Sequence, residues 1–464
     1  MEWEKLLSEE RERPSNSKQE TFRNAFDMDY ERIISSSSIR RLQDKTQLYP
    51  LQENDFTRTR LTHSLEVSSI ARSLGRRVGY ELFEKKEMKE NEPSKLASLL
   101  SVAGLVHDLG NPPFGHYGED IIRNWFGNHR SEDSDKIWAV DFKYFDGNAM
   151  TIRILSRLQC LKDRYGMNFS YGTLGTLVKY PWGSSCEKAK EIKKIGYFES
   201  DKELILKVFK VTGMADGSGS TNRHPATFLL EAADDIAYLF ADLEDTAKKG
   251  YLPWDEKVKD EILSVTSKSD KFKNLKEELS KVYETAEANN LSCTERVINE
   301  VMVLRVFCQR VCIESVAEEF LENYLKIMAG SYDGELLEGY RTKKVINGIK
   351  RLCIEYAYQS NEVLSLELIG DRVLTTLLDE FVTAILDEKD QRSDYNKPKC
   401  KTGKLFSIIS TNFKQAYYWE HGKININKDL DEEARIRLVV DYIACMTDSY
   451  ALNLHKTLTG VRVP

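Results

Sequence analysis

The decisive stretch of this 464-residue chain is Leu105-Val106-His107-Asp108-Leu109-Gly110-Asn111-Pro112-Pro113-Phe114-Gly115-His116-Tyr117-Gly118-Glu119. An apolar run ends in two side chains able to bind a metal, His107 and Asp108. The chain then turns through Asn111-Pro112-Pro113, which cannot continue a helix, and offers His116 and Glu119 three positions apart. At the start of a new helix that spacing sets imidazole and carboxylate side by side, so the carboxylate can fix the ring tautomer and raise its basicity. The pair reads as a proton-transfer dyad, with ligands of a second metal or a helix-capping ion pair as the alternatives.

Two further stretches supply matching chemistry. Arg58-Thr59-Arg60-Leu61-Thr62-His63-Ser64 adds an imidazole, and Glu231-Ala232-Ala233-Asp234-Asp235-Ile236-Ala237-Tyr238 adds carboxylates. Singly, His63 is an ordinary helix histidine and His-Asp a chance dipeptide. Together, His63, His107, Asp108 and Asp234 form a His/Asp set suited to a hard divalent cation, Mn²⁺, Mg²⁺ or Fe²⁺, with coordination positions left open for water and a phosphate oxygen.

Composition narrows the rest. The chain is 41% hydrophobic and long enough for a large core, with length alone allowing about two or three domains. No window approaches the ~20 apolar residues of a membrane span, and the first residues hold no apolar stretch of signal length, so a cytoplasmic location and no membrane partner are expected. The eight cysteines are scattered without a CxxC pair and read as reduced thiols. A net charge of −7 argues against broad nonspecific nucleic-acid binding and leaves room for a local basic pocket.

Apolar residues at spacings of three and four predict helices over 61–83, 95–109, 148–164, 225–248, 296–329, 344–358, 371–387 and 433–457, hence an all-α fold. A small β ribbon is expected around Tyr171 to Trp182, where Gly172 and Gly175 interrupt a Thr/Leu/Val/Tyr run. Ser131 to Asp141 and Thr212 to Ser220 read as loops. The chain divides into an N-terminal segment over 1–30, a core over 31–250 and an appended helical region over 251–464.

In its motifs the chain resembles the HD superfamily of metal-dependent phosphohydrolases, whose pattern H…HD…D falls on His63, His107-Asp108 and Asp234. Arg40 through Gln47, Arg60 through Val67, His107 through Glu119, Lys179-Tyr180-Pro181-Trp182, Gly196-Tyr197-Phe198, Glu231 through Ile236 and Asp441 through Asp448 look like the bacterial deoxyguanosinetriphosphate triphosphohydrolases. The resemblance runs from about Arg32 to Tyr450 and is weakest between Tyr251 and Asn425. Cys445 stands where such enzymes more often have Gly, which bears on local packing and not on chemistry.

The resemblance implies that a dNTP and water give deoxynucleoside and intact triphosphate, by attack at the α-phosphorus. The alternatives are another HD-type phosphohydrolase acting on a signalling nucleotide or nucleoside monophosphate, and a non-catalytic nucleotide-sensing scaffold. On a helix Asp234, Tyr238 and Asp242 share one face, so a ligand, an aromatic plate and a carboxylate line one wall. In the resembled enzymes the tyrosine packs on the deoxyribose, and the carboxylate takes the 3′-OH together with a glutamine that maps onto Gln47. The alternative is a half-buried core tyrosine and a solvated charge.

A triphosphate carries roughly four negative charges, which an acidic protein must meet with concentrated cations. Arg60, one turn before His63, points at the same site, and Arg58 is placed to assist. Lys179 and Lys194 resemble the family's phosphate-contacting lysines, and Arg437 precedes the Asp441–Asp448 motif; each of these three is alternatively a surface cation. His224 is a candidate for substrate contact or for stabilising a turn. The family also implies a homo-oligomer, often a hexamer, and single-stranded DNA or dNTP as effector.

Overall fold

A computed structural model describes residues 1–13, 22–49, 51, 57–129, 133, 136–159, 163–215, 220–266, 269–386, 400–420 and 431–461. Among these the fold is all-α, and β pairing is confined to isolated bridges such as Gly183 with Tyr197.

The helix Arg60–Glu84 starts where the hydroxyls of Thr59 and Thr62 each accept the other's backbone N–H, a reciprocal cap. It buries His63, Val67, Ile70, Ala71, Leu74, Val78 and Leu82, the spacing of a single inward stripe. That stripe lies on the helix Glu92–Val106, whose leucines and valines are buried on every side. The two backbones come so close at Gly104 that a Cβ there would stand 2.8 Å from Ser68 Cα. Close packing at this end of the pair is what carries His63 and His107 toward each other.

The helix Pro225–Lys248 crosses Arg60–Glu84 and is itself covered by Cys293–Glu322. Its start is capped by His224, whose Nδ1 accepts Ala226 N–H at 3.0 Å while Nε2 meets the Leu6 carbonyl at 3.1 Å. His224 is therefore a buried cap rather than a substrate contact, and burial pushes its pKa down to about 4. Arg58 is spoken for as well. It pairs with Glu244 at 2.9 Å, Glu66 at 3.1 Å and Asp245, bolting the start of one helix to the end of the other, and it does not line the cavity around His107 and Asp108.

The C-terminal helices Asn361–Leu386, Glu432–Ala444 and Asp448–Leu458 pack together, and the first lies against Gly115–His129, where Trp125 Nε1 donates to Asp379 at 2.7 Å. One apolar core runs from Trp3 to Leu454. Trp3 joins it at the N-terminus and donates to the Tyr324 hydroxyl at 3.1 Å.

Expected helices appear with shifted ends. The 148–164 element is Gly147–Arg153 running into a π-helical turn, Ile154–Leu158. The 296–329 element divides at Asn323, and the 433–457 element divides before Asp448, where the Thr447 hydroxyl accepts Tyr450 N–H and starts a new helix. The β ribbon is corrected: Tyr171–Leu177 is a buried α-helix. Ser170 accepts Thr173 N–H, and buried Asp29 accepts from Ser170 N, Ser170 Oγ and Thr173 Oγ1, so capping and burial overrule the strand propensity of the run. Ile137–Lys143 is likewise a helix within the expected 131–141 loop, and residues 130–132, 134 and 135 lie outside the described residues. Gly213, with φ +69°, ends the helix Lys202–Thr212 as expected, while 216–219 lie outside the described residues.

Candidate active site

The C-terminal end of Glu92–Val106, the first turn of Arg60–Glu84 and the middle of Pro225–Lys248 meet at one point. Asp234 Oδ1 lies 2.9 Å from His63 Nε2 and 3.4 Å from His107 Nε2. The metal-binding atoms of His63, His107 and Asp108 all lie within 4.8 Å of one another. His107 Nδ1 bonds the Gly104 carbonyl at 2.8 Å, which places the proton there and leaves the lone pair on Nε2. Asn111 Nδ2 donates to Asp108 Oδ1 at 2.6 Å and Arg60 Nη1 to Asp108 Oδ2 at 2.5 Å, so both carboxylate oxygens are oriented from outside the cluster.

This donor set fits a divalent cation. Among the described residues, buried His107 Nε2 makes no hydrogen bond and faces the carboxylates of Asp234 at 3.4 Å and Asp108 at 3.5 Å, a nitrogen and two oxygens that a cation would gather. Burial opposes charge on His107, yet Asp108 and Asp234 outweigh it and lift its pKa to about 9. Burial likewise opposes ionisation of Asp108, but His107 and Arg60 hold it at about 2. Without a metal the two carboxylates thus hold a proton on His107, which a bound cation would displace.

His116 follows Gly115 at the start of Gly115–His129. Gly115 has φ +62°, and a Cβ there would lie 2.5 Å from Arg60 Nη2, so both the turn and the approach of Arg60 require glycine. The His116 side chain stands free in the cavity, 77% exposed, with Nδ1 3.4 Å from buried Glu119 Oε2. That carboxylate raises the His116 pKa, first through the hydrogen bond and then through its charge. Glu119 is held by Gly147 N–H at 2.8 Å, with Arg123 at 3.5 Å and Lys194 at 3.7 Å. Burial opposes its charge, but His116, Lys194 and Arg123 bring its pKa down to about 2.

A cavity of about 620 Å³ joins these groups. His63, His107, Asp108, Asp234, His116, Glu119, Gln47, Arg60, Lys179, Lys194, Tyr238 and Asp242 all line it. Tyr238 and Asp242 follow Asp234 at one-turn intervals along one wall. Lys179 rests 3.2 Å from Glu231, and among the described residues Arg60 Nε is buried with no partner, a donor left over after Asp108 has taken Nη1. Arg437 is a correction: it does not line the cavity, because buried Asp141 takes its Nη2 at 2.6 Å and Glu433 its Nε at 3.0 Å. A buried carboxylate needs a cation more than an open pocket does.

Several lining residues escape sequence reasoning. Tyr358 donates to Asp242 Oδ2 at 2.9 Å from the end of a π-helical turn, Cys353–Tyr358, and Val363, Leu366 and Glu367 follow it into the cavity. They belong to the poorly matched region, where no local signal marks them. Asp235 and Asn111 could have been found, being neighbours of Asp234 and members of the motif that opens this section. Burial and then the Asp234 charge push Asp235 up to about 7.

Comparison with known proteins agrees with this geometry. Residues 60–149 match the HD domain, and 384–457 match a phosphohydrolase-associated domain. The chain is 36% identical to a deoxyguanosinetriphosphate triphosphohydrolase-like protein of Listeria innocua, over 99% of this chain and 100% of that one. A protein of the same description from Synechocystis is 33% identical over 99% and 100%. A deoxyguanosinetriphosphate triphosphohydrolase of Salmonella paratyphi A is 31% identical over 94% of each chain. Fold and site together define an HD-domain phosphohydrolase. Within that class the chain belongs to the family of deoxyguanosinetriphosphate triphosphohydrolases and their like.

Proposed function

We propose that this protein hydrolyses dGTP, alone or with other dNTPs, to deoxynucleoside and inorganic triphosphate. The observation that carries the reading is that one cavity is lined at once by the His/Asp cluster, the His116–Glu119 pair, three cations and the Tyr238–Asp242 wall. In this reading residues 31–250 supply the chemistry and residues 251–464 close the nucleotide pocket.

His63, His107, Asp108 and Asp234 would hold a divalent cation, Mn²⁺, Mg²⁺ or Fe²⁺, which would supply Lewis-acid chemistry. Arg60, Lys179 and Lys194 neutralise the triphosphate chain as a bond forms from water to the α-phosphorus and the bond to O5′ breaks. His116, held in one tautomer by Glu119, moves the proton, either from the attacking water or onto O5′. Asp242 and Gln47 take the 3′-OH, and the Tyr238 ring packs on C2′.

The test is chromatographic product analysis with each dNTP, singly and in pairs, with Mn²⁺ or Mg²⁺. Deoxynucleoside and triphosphate in equal amounts support the proposal. Release of orthophosphate or diphosphate points to another HD-type reaction, and absence of any metal-dependent turnover to a non-catalytic role.

A further inference from the structure

Phe114 is a bulky residue with φ +61°, followed by Gly115 at +62°. Left-handed backbone at an aromatic residue persists only where the surroundings over-determine it. Here the restraint comes from the far end of the chain. Phe114 N–H donates to Asp448 Oδ1 at 3.0 Å, across 334 positions, and both groups are buried. The other oxygen, Oδ2, accepts Thr46 N–H at 3.0 Å and Thr46 Oγ1 at 2.5 Å. On the opposite side the Phe114 ring lies on Gly370, where a Cβ would stand 2.8 Å from Phe114 Cγ.

A second strap runs parallel. Buried Lys45 donates to the carbonyls of Asn111 and, at 3.2 Å, Ala444. The Asn111–Phe114 turn is therefore tied to the C-terminal helices in addition to its local bonds, such as Gly115 N–H to the Pro112 carbonyl at 3.1 Å.

We propose that Asp448 is a positioning residue for His116: its carboxylate fixes the left-handed Phe114–Gly115 turn and so aims the imidazole that stands one residue beyond. The region matched to the phosphohydrolase-associated domain thereby sets the geometry of a group in the HD domain. Asp448 touches neither the candidate ligands nor the cavity, so it acts only through the turn and through Thr46.

The test is Asp448→Asn, which keeps the volume but replaces one acceptor oxygen by an amide nitrogen. Its kinetic half rests on the proposed hydrolysis. kcat for dGTP falls about 10- to 100-fold, as misplacement of a reacting group does, while KM changes less and cation content stays the same. In a His116→Ala background the same substitution changes kcat by no more than about twofold, because the group it aims is gone. An equal fold-loss in both backgrounds overturns the proposal, since a merely structural strap acts regardless of His116. If Asp448→Asn does not fold, Gly370→Ala, which pushes the Phe114 ring from the other side, is read in the same two ways. A readout free of turnover is the His116 ring signal in [¹³C]histidine-labelled protein, assigned with His116→Ala. It moves in Asp448→Asn while that of His224 stays, and an unmoved His116 signal overturns the positioning role whether or not the protein hydrolyses dNTPs.

Discussion

The Tyr358 hydroxyl donates to Asp242 Oδ2 at 2.9 Å, joining residues 116 positions apart at the wall where the sugar is proposed to bind. Above about pH 7, where Asp242 is ionised, a hydrogen bond to the charged acceptor is worth about 1.5–3 kcal/mol, enough to decide how the carboxylate faces a ligand. Tyr358→Phe should therefore lower kcat/KM for dGTP about tenfold. The same variant should lose little on 2′,3′-dideoxy-GTP, which offers Asp242 no hydroxyl. Equal losses on both nucleotides would show that Tyr358 does not act through Asp242.

Asp242 also gives the protein a pH dependence of known sign. Burial pushes its pKa up to about 7, with the Tyr358 bond offsetting only part. A folded-state value above the unfolded one of about 3.9 means that the native state binds the proton more tightly. The stabilising contribution is complete below about pH 4 and is lost as pH rises through about 7. Metal-free Asp242→Asn should thus gain thermal stability over the parent progressively from about pH 4 to 7 and then level off. A melting-temperature difference independent of pH argues against the buried-carboxyl account.

The His/Asp cluster predicts joint loss of cation and activity. His107→Ala or Asp108→Ala should retain no stoichiometric Mn²⁺ by elemental analysis and show no turnover. Mn²⁺ should raise the melting temperature of the parent but not of either variant, since a ligand stabilises only the state that binds it. A metal-replete, active His107→Ala protein would sink the assignment.

His116 is exposed in the cavity and, among the described residues, bonds Glu119 alone. His116→Ala should leave cation content and dNTP binding nearly unchanged and slow hydrolysis by about 10² or more. Loss of one bound ion in the same variant would make His116 and Glu119 ligands of a second metal instead.

Tyr238 lies one turn beyond Asp234 and faces the same cavity. With the phosphate held at one end and the 3′-OH at the other, the sugar has little freedom to retreat from the ring, so a 2′-OH would clash. Tyr238→Ala should lose activity on dGTP while gaining relative activity on rGTP, measured as the ratio of kcat/KM. Apolar contacts alone discriminate about 10- to 200-fold, which bounds the change. An unchanged ratio removes Tyr238 as the sugar gate.

The sequence by itself determined the all-α class, the longest helices and the candidate reactive groups. Spacing at three and four places His63 on the buried stripe of its helix and Asp234, Tyr238 and Asp242 on one wall, because a helix repeats every 3.6 residues whatever it later packs against. The short motifs marked the candidate ligands and the His116–Glu119 pair for the same reason: their geometry is local. Tertiary structure alone decided which partner each side chain took. It turned the 171–177 run into a helix through Asp29, drew Arg437 to Asp141 and Arg58 to Glu244, and brought Tyr358 to Asp242 and Asp448 to Phe114. Such pairings depend on how buried charges and hydrogen-bond donors are satisfied across the whole core, and no spacing within one segment carries that information.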